Sequence, residues 1–160
     1  MKIAEGRSRP IQADVNVLTT LCEARMAKKI SESTFRVRYA ETDASGIVYH
    51  ANYIVWFEHG RSDWFWQLGK DYHRDVETRG FVWPVTELSA RFLAPARYGD
   101  LVTVRAWFEQ VHSRGMTIGY EVLNAETKQM LCTGWTKHLN VDAQGRVVRI
   151  PDDIRAIMTG

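Results

Sequence analysis

The sequence predicts an α+β domain in which one long central helix is wrapped by a curved antiparallel sheet of about five to six strands. Three observations support this fold class. Apolar and polar residues alternate in several segments, short turn-rich stretches connect those segments, and one bulky apolar helix separates the first strand from the rest. Short connections favour antiparallel neighbours, and the face of such a sheet covers an apolar helix stripe most economically.

The first strand is predicted in "TFRVRY", residues 34–39, where Phe35, Val37 and Tyr39 alternate with Arg36 and Arg38. Four further strand segments follow the helix, and turn-forming residues separate them. These segments are "FVWPVTELSARFLA" (81–94), "DLVTVRAWFEQV" (100–111), "MTIGYEVLNA" (116–125) and "MLCTGWTKHLNVD" (130–142). The pattern therefore predicts a sheet with one covered face.

The central helix is predicted from about Asn52 to Leu68, because bulky apolar residues recur there at steps of three and four. Asn52 has the side chain of a good N-cap, and Gly69 can adopt the left-handed conformation that ends a helix. A short terminal helix is predicted in "PDDIRAIM", residues 151–158, since Pro151 and two acids suit a helix N-terminus.

Residues 1–33 are interpreted as an N-terminal extension of a domain that covers residues 34–160. The first 14 residues are polar and contain Pro10, which favours disorder. The following segment, "VNVLTTLCEARMAKKI" (15–30), has the partial spacing of a short extra helix. A tail outside the fold explains that segment equally well.

Composition argues against several classes of function. The formal net charge is +2, and the basic excess lies entirely in residues 1–33, so the domain offers no concentrated basic face to a nucleic acid. No run of about 18 apolar residues occurs, and no apolar leader follows Met1. We therefore expect a cytoplasmic protein without an integral membrane segment. Cys22 and Cys132 lack metal-ligand spacing and are expected to be reduced structural thiols.

A loop ahead of the central helix carries the candidate chemistry. The stretch "AETDASGIV" leaves the first strand with Asp43 in a turn, and Gly46 is expected to take a conformation that other residues resist. His50 lies at the threshold of the helix, whose unpaired N–H groups and positive dipole end favour an oxyanion. A carboxylate that activates water or attacks directly, beside N–H donors that polarise a carbonyl, is the minimal apparatus for acyl-transfer hydrolysis, and thioesters fit it well.

Structural roles also explain the same residues. Asp43 could bond only its own turn, His50 could be a helix-start side chain, and Glu41 is interpreted as solvated. Glu58 and Arg61, three residues apart, are interpreted as an intrahelical pair, although Glu58 could face the site. A metal site is not expected, because neither HxxxH nor HExxH spacing occurs. Spacing alone therefore leaves the function open.

The run "VRYAETDASGIVYHANYIVWFEHGR" resembles the signature of hotdog-fold acyl-CoA thioesterases of the 4-hydroxybenzoyl-CoA thioesterase type, including the bacterial Tol-Pal-associated branch. The residues that carry the resemblance keep the family's order and spacing: Tyr39, Glu41, Asp43, Gly46, Val48, Tyr49, His50, Asn52, Tyr53, Glu58 and Arg61. The resemblance continues through about Asp142 and excludes only the N-terminal extension. It implies a hotdog fold, in which a curved antiparallel sheet wraps a long helix.

The resemblance also implies roles for particular residues. Asp43 corresponds to the family's essential carboxylate, acting as nucleophile or general base, and His50 to the position whose backbone N–H polarises the thioester carbonyl. Candidate substrate contacts are Tyr49, Asn52, Glu58 and Trp83, the last being the best candidate to line an apolar pocket. Candidate contacts for the phosphates of CoA are Arg91, Arg97 and Lys137, although ordinary strand-surface charge explains these three better.

The activity implied by the resemblance is hydrolysis of a small acyl-CoA, short-chain aliphatic or aryl, to the free acid and CoA. No metal or other cofactor is implied. Two alternatives stay open: a thioesterase for acyl groups on acyl carrier protein, and a non-catalytic hotdog scaffold that binds acyl thioesters. Family members pair edge to edge and stack, so a homodimer that assembles into a homotetramer is the expected form.

Overall fold

The computed structural model of the protein describes residues 28–159. The strands in this range are β1 (Ser31–Arg36), β2 (Phe81–Val82), β3 (Val85–Phe92), β4 (Leu101–Val111), β5 (Gly115–Asn124), β6 (Met130–Leu139) and β7 (Val141–Asp142). The α-helices are α1 (His50–Gln67), α2 (Tyr72–Asp75) and α3 (Asp152–Thr159), and short 3-10 turns lie at Tyr39–Glu41 and Glu77–Arg79.

Five strands form one antiparallel sheet in the order β1-β4-β5-β6-β3, so β1 and β3 are its edges. The register places Tyr120 of β5 between Ala106 of β4 and Gly134 of β6. At the β3 edge, Phe92 lies opposite Cys132. Strands β2 and β7 pair separately as a small two-stranded sheet. The large sheet and the long helix are the α+β hotdog architecture that the sequence predicts.

Helix α1 packs across one face of the large sheet because alternate strand residues supply an apolar surface there. Four alternate residues of β4 are buried: Val102, Val104, Ala106 and Phe108. Phe57 of α1 stacks on Tyr120 with ring centroids 4.4 Å apart and planes 7° apart. Gly134 permits this close approach, since a Cβ at that position would lie 2.7 Å from the Phe57 ring.

Two strand boundaries differ from the sequence prediction. Strand β1 begins at Ser31 rather than residue 34 and ends at Arg36, because Tyr39 enters the 3-10 turn. The predicted segment 81–94 is two strands, since Pro84 has no N–H to continue a ladder and β2 turns away to pair with β7.

The helix ends are partly as predicted. Asn52 is not the N-cap of α1: that position is Tyr49, and Asn52 lies in the first turn. Gly69, with φ of 67°, follows the helix end in the left-handed conformation, as predicted. The terminal helix is confirmed as α3. The disorder predicted for residues 1–14 and most of the helix predicted in 15–30 lie outside the described residues.

No helix among residues 28–159 is long and apolar enough to cross a membrane.

Candidate active site

Asp43 is held in an exposed turn that fixes the direction of its carboxylate. Its Oδ1 accepts a hydrogen bond from the Ser45 amide at 2.7 Å, and its backbone carbonyl accepts one from the Gly46 amide at 2.9 Å. Gly46 has φ of 72°, as expected from the sequence. The turn role proposed for Asp43 is therefore correct, and it occupies only one of the two carboxylate oxygens.

The start of α1 provides N–H donors beside this turn. The Tyr49 amide donates to the Glu41 carbonyl at 2.9 Å, and the Asn52 amide donates to the Tyr49 carbonyl at 2.9 Å. Within the described residues, no hydrogen bond engages the amides of His50 and Ala51, the first two residues of the helix. These amides and the positive end of the helix dipole can stabilise a negatively charged oxygen.

Glu41 anchors the helix start, and the sequence interpretation of this residue as solvated is wrong. Glu41 is 5% exposed, and its carboxylate accepts hydrogen bonds from the Arg38 amide at 2.7 Å, the Arg38 guanidinium at 3.0 Å and the Trp56 indole at 3.0 Å. Its backbone carbonyl also accepts from the Asn52 side-chain amide at 2.7 Å. Glu41 thus fixes the first turn of α1 relative to the Asp43 loop.

The pKa of Glu41 reflects two opposed effects. Burial acts to raise the pKa of this carboxyl, but hydrogen bonds from Arg38 and Trp56 and the charge of Arg38 outweigh burial and lower the pKa below its usual value. Glu41 is therefore ionised at neutral pH. Its acidic side chain occurs in the family signature, but only the fold shows that Trp56 and Arg38 surround it.

Asp43 and His50 line one cleft of about 380 Å³. Its walls come from the Asp43 loop, from the first turns of α1, and from the end of β3 and the segment after it: Ile47, Val48, Tyr53, Phe92, Leu93, Ala94 and Pro95. The Tyr53 and Phe92 rings meet edge to face at 5.3 Å, and the Tyr53 hydroxyl accepts from the Ala96 amide at 3.1 Å. The wall opposite Asp43 is therefore apolar and held in place by the helix.

Two predicted substrate contacts lie at the helix start but not among the residues that line the cleft. Tyr49 is 46% exposed, and its ring packs beside His50 with centroids 4.3 Å apart. Asn52 uses its side-chain amide to hold the Glu41 carbonyl. Both residues therefore lie near His50. The hydrogen bond from Asn52 to Glu41 fixes the position of the first turn of α1.

The other two predicted substrate contacts, Glu58 and Trp83, line a different cavity of about 430 Å³. It lies between the middle of α1, the segment around α2 and the start of β3. Glu58 does not pair with Arg61 as predicted: its Oε1 accepts from the Ser62 hydroxyl at 2.8 Å, and Arg61 lines the same cavity. Within the single chain, Glu58 and Trp83 are thus separated from the Asp43 cleft.

The three candidate CoA contacts lie in different environments. Arg97 donates to the Gly46 carbonyl at 3.3 Å, so it borders the Asp43 loop. Lys137 pairs with Glu87 at 2.7 Å and lies over the Trp135 ring at 5.1 Å, on the sheet face opposite α1. Arg91 is exposed on β3, on that same outer face. The structure therefore brings only Arg97 near the cleft.

The chemistry of the remaining reactive groups is limited. Cys132 is buried, and burial raises the pKa of its thiol to about 11, so it is protonated at neutral pH. Cys22 lies outside the described residues. Within residues 28–159, no three His, Cys, Asp or Glu side chains are grouped to bind a metal ion.

A long helix wrapped by an antiparallel sheet, with a carboxylate and the helix start lining one cleft, is the arrangement expected of hotdog-fold thioester hydrolases. The sequence profile of the thioesterase-like superfamily matches residues 37–158, and the chain belongs to this superfamily. The family, the fold and the enzyme class predicted from the sequence are confirmed.

Individual relatives agree with this assignment. The chain is 36% identical to the putative acyl-CoA thioesterase YneP of Bacillus subtilis, over 72% of this chain and 82% of that protein. It is 31% identical to the 1,4-dihydroxy-2-naphthoyl-CoA hydrolase of Thermosynechococcus vestitus, over 75% and 82% of the two chains. The crystal structure of the hypothetical protein TT1821 from Thermus thermophilus superposes with a TM-score of 0.75 at 40% identity, covering 81% of this chain and 97% of that one.

Proposed function

We propose that the protein hydrolyses a small acyl-CoA to the free acid and CoA, with Asp43 and the start of α1 at His50 as its catalytic apparatus. One observation carries this proposal: the Asp43 carboxylate and the first residue of α1 line the same cleft. The names of the relatives support thioesters of CoA as the substrate class.

The geometry supports two chemical routes to the same products. In one, an Asp43 oxygen attacks the thioester carbon, the C–S bond breaks, CoA leaves as the thiolate, and water then hydrolyses the acyl–aspartyl anhydride. In the other, Asp43 takes a proton from water as the hydroxide attacks, and the same thiolate leaves. In both routes the amides at the start of α1 stabilise the oxyanion, and the thiolate finally takes up a proton.

We also propose that the protein forms a homodimer through the β3 edge, and that this dimer completes the active site. Among the described residues, strand β3 has a partner on one side only, and its exposed apolar residues include Leu88 at 50%, Phe92 at 49% and Val85 at 41%. A long apolar sheet edge favours pairing with another strand. A two-fold axis through this edge pairs β3 with its copy in antiparallel orientation and keeps both α1 helices on one side of a continuous sheet.

In such a dimer, the Asp43 cleft of one protomer lies next to the Glu58 and Trp83 cavity of the other. In one protomer, His50 and Arg61 are eleven residues apart on α1, which is about 16 Å along the helix axis. In an antiparallel β3 pair, however, the Val85 end of one strand lies beside the Phe92 end of the other. The Phe92 end borders the Asp43 cleft, and the Val85 end follows Trp83 and Pro84 of the second cavity.

The predicted substrate residues fit this composite site. A thioester held at Asp43 of one protomer directs its acyl group toward the cavity that contains Glu58 and Trp83 of the other protomer. Tyr49 borders the thioester, Asn52 positions the helix start, and Arg97 faces the exit toward CoA. Arg91 and Lys137 lie on the outer face, where they reach CoA only from a second dimer stacked in a tetramer. The cytoplasmic location and the Tol-Pal-associated branch stay predictions.

The decisive experiment compares Asp43→Asn with the wild type in a thiol-release assay on short, medium, long and aryl acyl-CoAs. Asn can keep the hydrogen bond from Ser45, so the turn is retained while the nucleophile or base is lost. We expect kcat to fall about 10²- to 10⁴-fold at an unchanged melting temperature. The exposed Asp152→Asn is the matched control.

Wild-type rates in Asp43→Asn would overturn the catalytic assignment of Asp43, whereas a wild type that hydrolyses none of these thioesters would favour a binding scaffold. Faster hydrolysis of a matched acyl group on acyl carrier protein than on CoA would favour the carrier-protein alternative.

A further inference from the structure

Two tyrosine side chains are exposed side by side near the Asp43 turn. Tyr39 is 77% exposed and Tyr98 is 65% exposed, more than any other large hydrophobic side chain among residues 28–159. Their rings meet edge to face, with centroids 5.8 Å apart and planes 89° apart. Two adjoining rings that face water form an apolar patch, which is a feature of binding surfaces. We call this pair of side chains the tyrosine platform.

The backbone attaches the tyrosine platform to the Asp43 cleft from both sides. Tyr39 begins the 3-10 turn that leads to Asp43. The segment that contains Tyr98 directly follows the residues that line the cleft after β3. Arg97 of that segment donates to the Gly46 carbonyl of the Asp43 turn at 3.3 Å. The platform therefore lies beside the cleft rather than inside it.

The tyrosine platform lies on the side of the cleft away from the β3 edge. Strand β3 ends at Phe92, and the chain then crosses the end of the sheet to β4, where the Asp100 carbonyl accepts from the Val37 amide at 2.9 Å. Tyr98 is thus near the end of β1, which is the opposite edge of the sheet. In the proposed dimer the acyl group extends from Asp43 across the β3 edge, so the CoA end of the thioester extends toward the platform.

Three exposed arginines border the tyrosine platform. Arg38 and Arg97 directly precede its two tyrosines in the sequence, and Arg36 donates to the Gly99 carbonyl at 2.6 Å. A guanidinium carries five N–H donors, and the backbone carbonyls that Arg36 and Arg97 bind occupy only some of them. The platform is therefore bordered by charged donors of the kind that bind phosphate oxygens.

These groups define a complementary ligand. Exposed aromatic rings stack on planar bases, and guanidinium groups bind phosphate oxygens. Glu41 and Asp100 lie nearby, but Glu41 already accepts from Arg38, and Asp100 accepts from the Arg97 amide at 2.9 Å. CoA carries both kinds of group, an adenine base beside a 3′-phosphate and a pyrophosphate, at the far end of the arm that bears the thioester.

We propose that the tyrosine platform is the subsite for the nucleotide of CoA: the adenine stacks on Tyr98, which Tyr39 supports from the side, and Arg36 and Arg97 bind the phosphates. This inference rests on the proposed function, in which Asp43 receives the thioester of CoA. It gives the protein a preference for CoA over shorter thioesters and over acyl carrier protein, whose pantetheine arm carries no adenosine.

The test compares two thioesters of one acyl group, the acyl-CoA and the S-acyl-pantetheine that lacks the nucleotide. The acyl group is the one that the wild type hydrolyses fastest in the thiol-release assay on short, medium, long and aryl acyl-CoAs. We expect kcat/KM of the wild type to be at least about tenfold higher for the acyl-CoA, because base stacking and phosphate contacts act on that substrate alone. The preference should decrease as the salt concentration rises, since salt screens exposed charges.

Tyr98→Ala should lower kcat/KM for the acyl-CoA about 5- to 30-fold and change it less than about twofold for the S-acyl-pantetheine. The loss should lie in KM, because the Tyr98 ring does not contact the reacting carbonyl. Tyr98→Phe keeps a ring that can stack and should retain the wild-type values. Trp66→Ala, which removes another exposed aromatic side chain, is the control and should leave both substrates unchanged.

Three results would overturn the inference: an equal loss on both substrates in a folded Tyr98→Ala protein, no loss on either, or a wild type that hydrolyses both equally well. Each of these refutes only the role of the tyrosine platform. A Tyr98→Ala loss confined to an acyl group on acyl carrier protein would also refute it and assign the platform to a protein partner. A wild type that hydrolyses no acyl-CoA refutes the proposed function itself.

Discussion

The Asp43 cleft and the second cavity, which Glu58, Arg61 and Trp83 line, both border α1, and they are built in opposite ways. The cleft uses one exposed carboxylate and backbone amides from consecutive stretches of chain, residues 43–53 and 92–95. The cavity uses side chains from α1, the α2 segment, the β2–β3 junction and strands β5 and β6. Its wall depends on a directed set of buried hydrogen bonds.

Under the proposed function, this difference separates the part of the chain that encodes the chemistry from the part that encodes specificity. A turn and a helix start can stabilise charge through the backbone, so a short motif is enough to specify them. Recognition of an acyl group needs side chains converging from distant parts of the chain, so it can vary while the motif stays constant. The following changes test each half of this contrast, beginning with the largest expected effect.

Glu41→Gln tests whether the cleft is built from backbone groups alone, because the helix start that lines the cleft also depends on the buried side chain of Glu41. The Gln amide would place an N–H₂ group against the Arg38 or Trp56 donors, which now share the carboxylate. We expect the free energy of unfolding at pH 7, measured by urea titration, to fall by about 2 to 3 kcal/mol. The exposed Glu126→Gln should change it by less than about 0.5 kcal/mol.

The contribution of Glu41 to the free energy of unfolding depends on pH, and the lowered pKa of Glu41 sets the direction of that dependence. The pKa of Glu41 is lowered in the folded protein, so its contribution is complete above the unfolded value of about 4.3 and is lost as pH falls through the lower folded value. Wild type and Glu41→Gln should therefore converge in acid. A constant difference in unfolding free energy down to pH 3 would contradict this assignment.

Gly134→Ala tests the packing of α1 on the large sheet, to which both regions are attached. A Cβ there would lie 2.5 Å from the Ser89 carbonyl oxygen and 2.7 Å from the Phe57 ring, both fixed by the core. We expect a loss of about 2 kcal/mol in unfolding free energy. In Gly119→Ala the Cβ would meet the half-exposed Trp107 ring at 2.6 Å on the outer face, where the ring can move. A smaller loss at Gly119 than at Gly134 is the expected order.

His138→Gln tests the second cavity separately from the cleft, because His138 lines the cavity and not the cleft. Burial lowers the pKa of His138, so the unfolded chain binds the proton more readily and wild-type stability should fall as pH drops below about 6.5. The variant should lose about 1 kcal/mol at pH 7 and show a shallower acid slope than wild type. Exposed His112→Gln is the control, and an unchanged slope in His138→Gln would contradict the neutral buried state.

The smallest expected effect is on the rate at which the Cys132 thiol is labelled in the native protein. It lies opposite Phe92, behind the cleft wall, and its pKa is raised to about 11 by burial. In a Cys22→Ser background, a disulfide reagent at pH 8 should label Cys132 slowly in native protein and rapidly in urea. Rapid native labelling would show that this end of the sheet opens easily.

Much of the fold followed from the sequence because its signals are local. Period-two alternation identified the strands, and the bulky stripe with Gly69 identified α1 and its end. The errors occurred where a distant partner decides: Asn52 holds the Glu41 carbonyl instead of capping, and Pro84 ends one pairing because β7 offers another. The interpretation of Glu41 as solvated failed for the same reason, since Trp56 lies 15 residues further along the chain.

The sequence by itself determined the family, the long helix and the adjacency of Asp43 to a helix start, because all three depend on residues near one another in the chain. The tertiary structure alone decided that Glu58 and Trp83 belong to a second cavity, that Arg61 forms no ion pair with Glu58, and that Lys137 and Arg91 point away from α1. Packing sets these facts: whether a side chain meets a partner, a cavity or solvent depends on which distant segments fold against it.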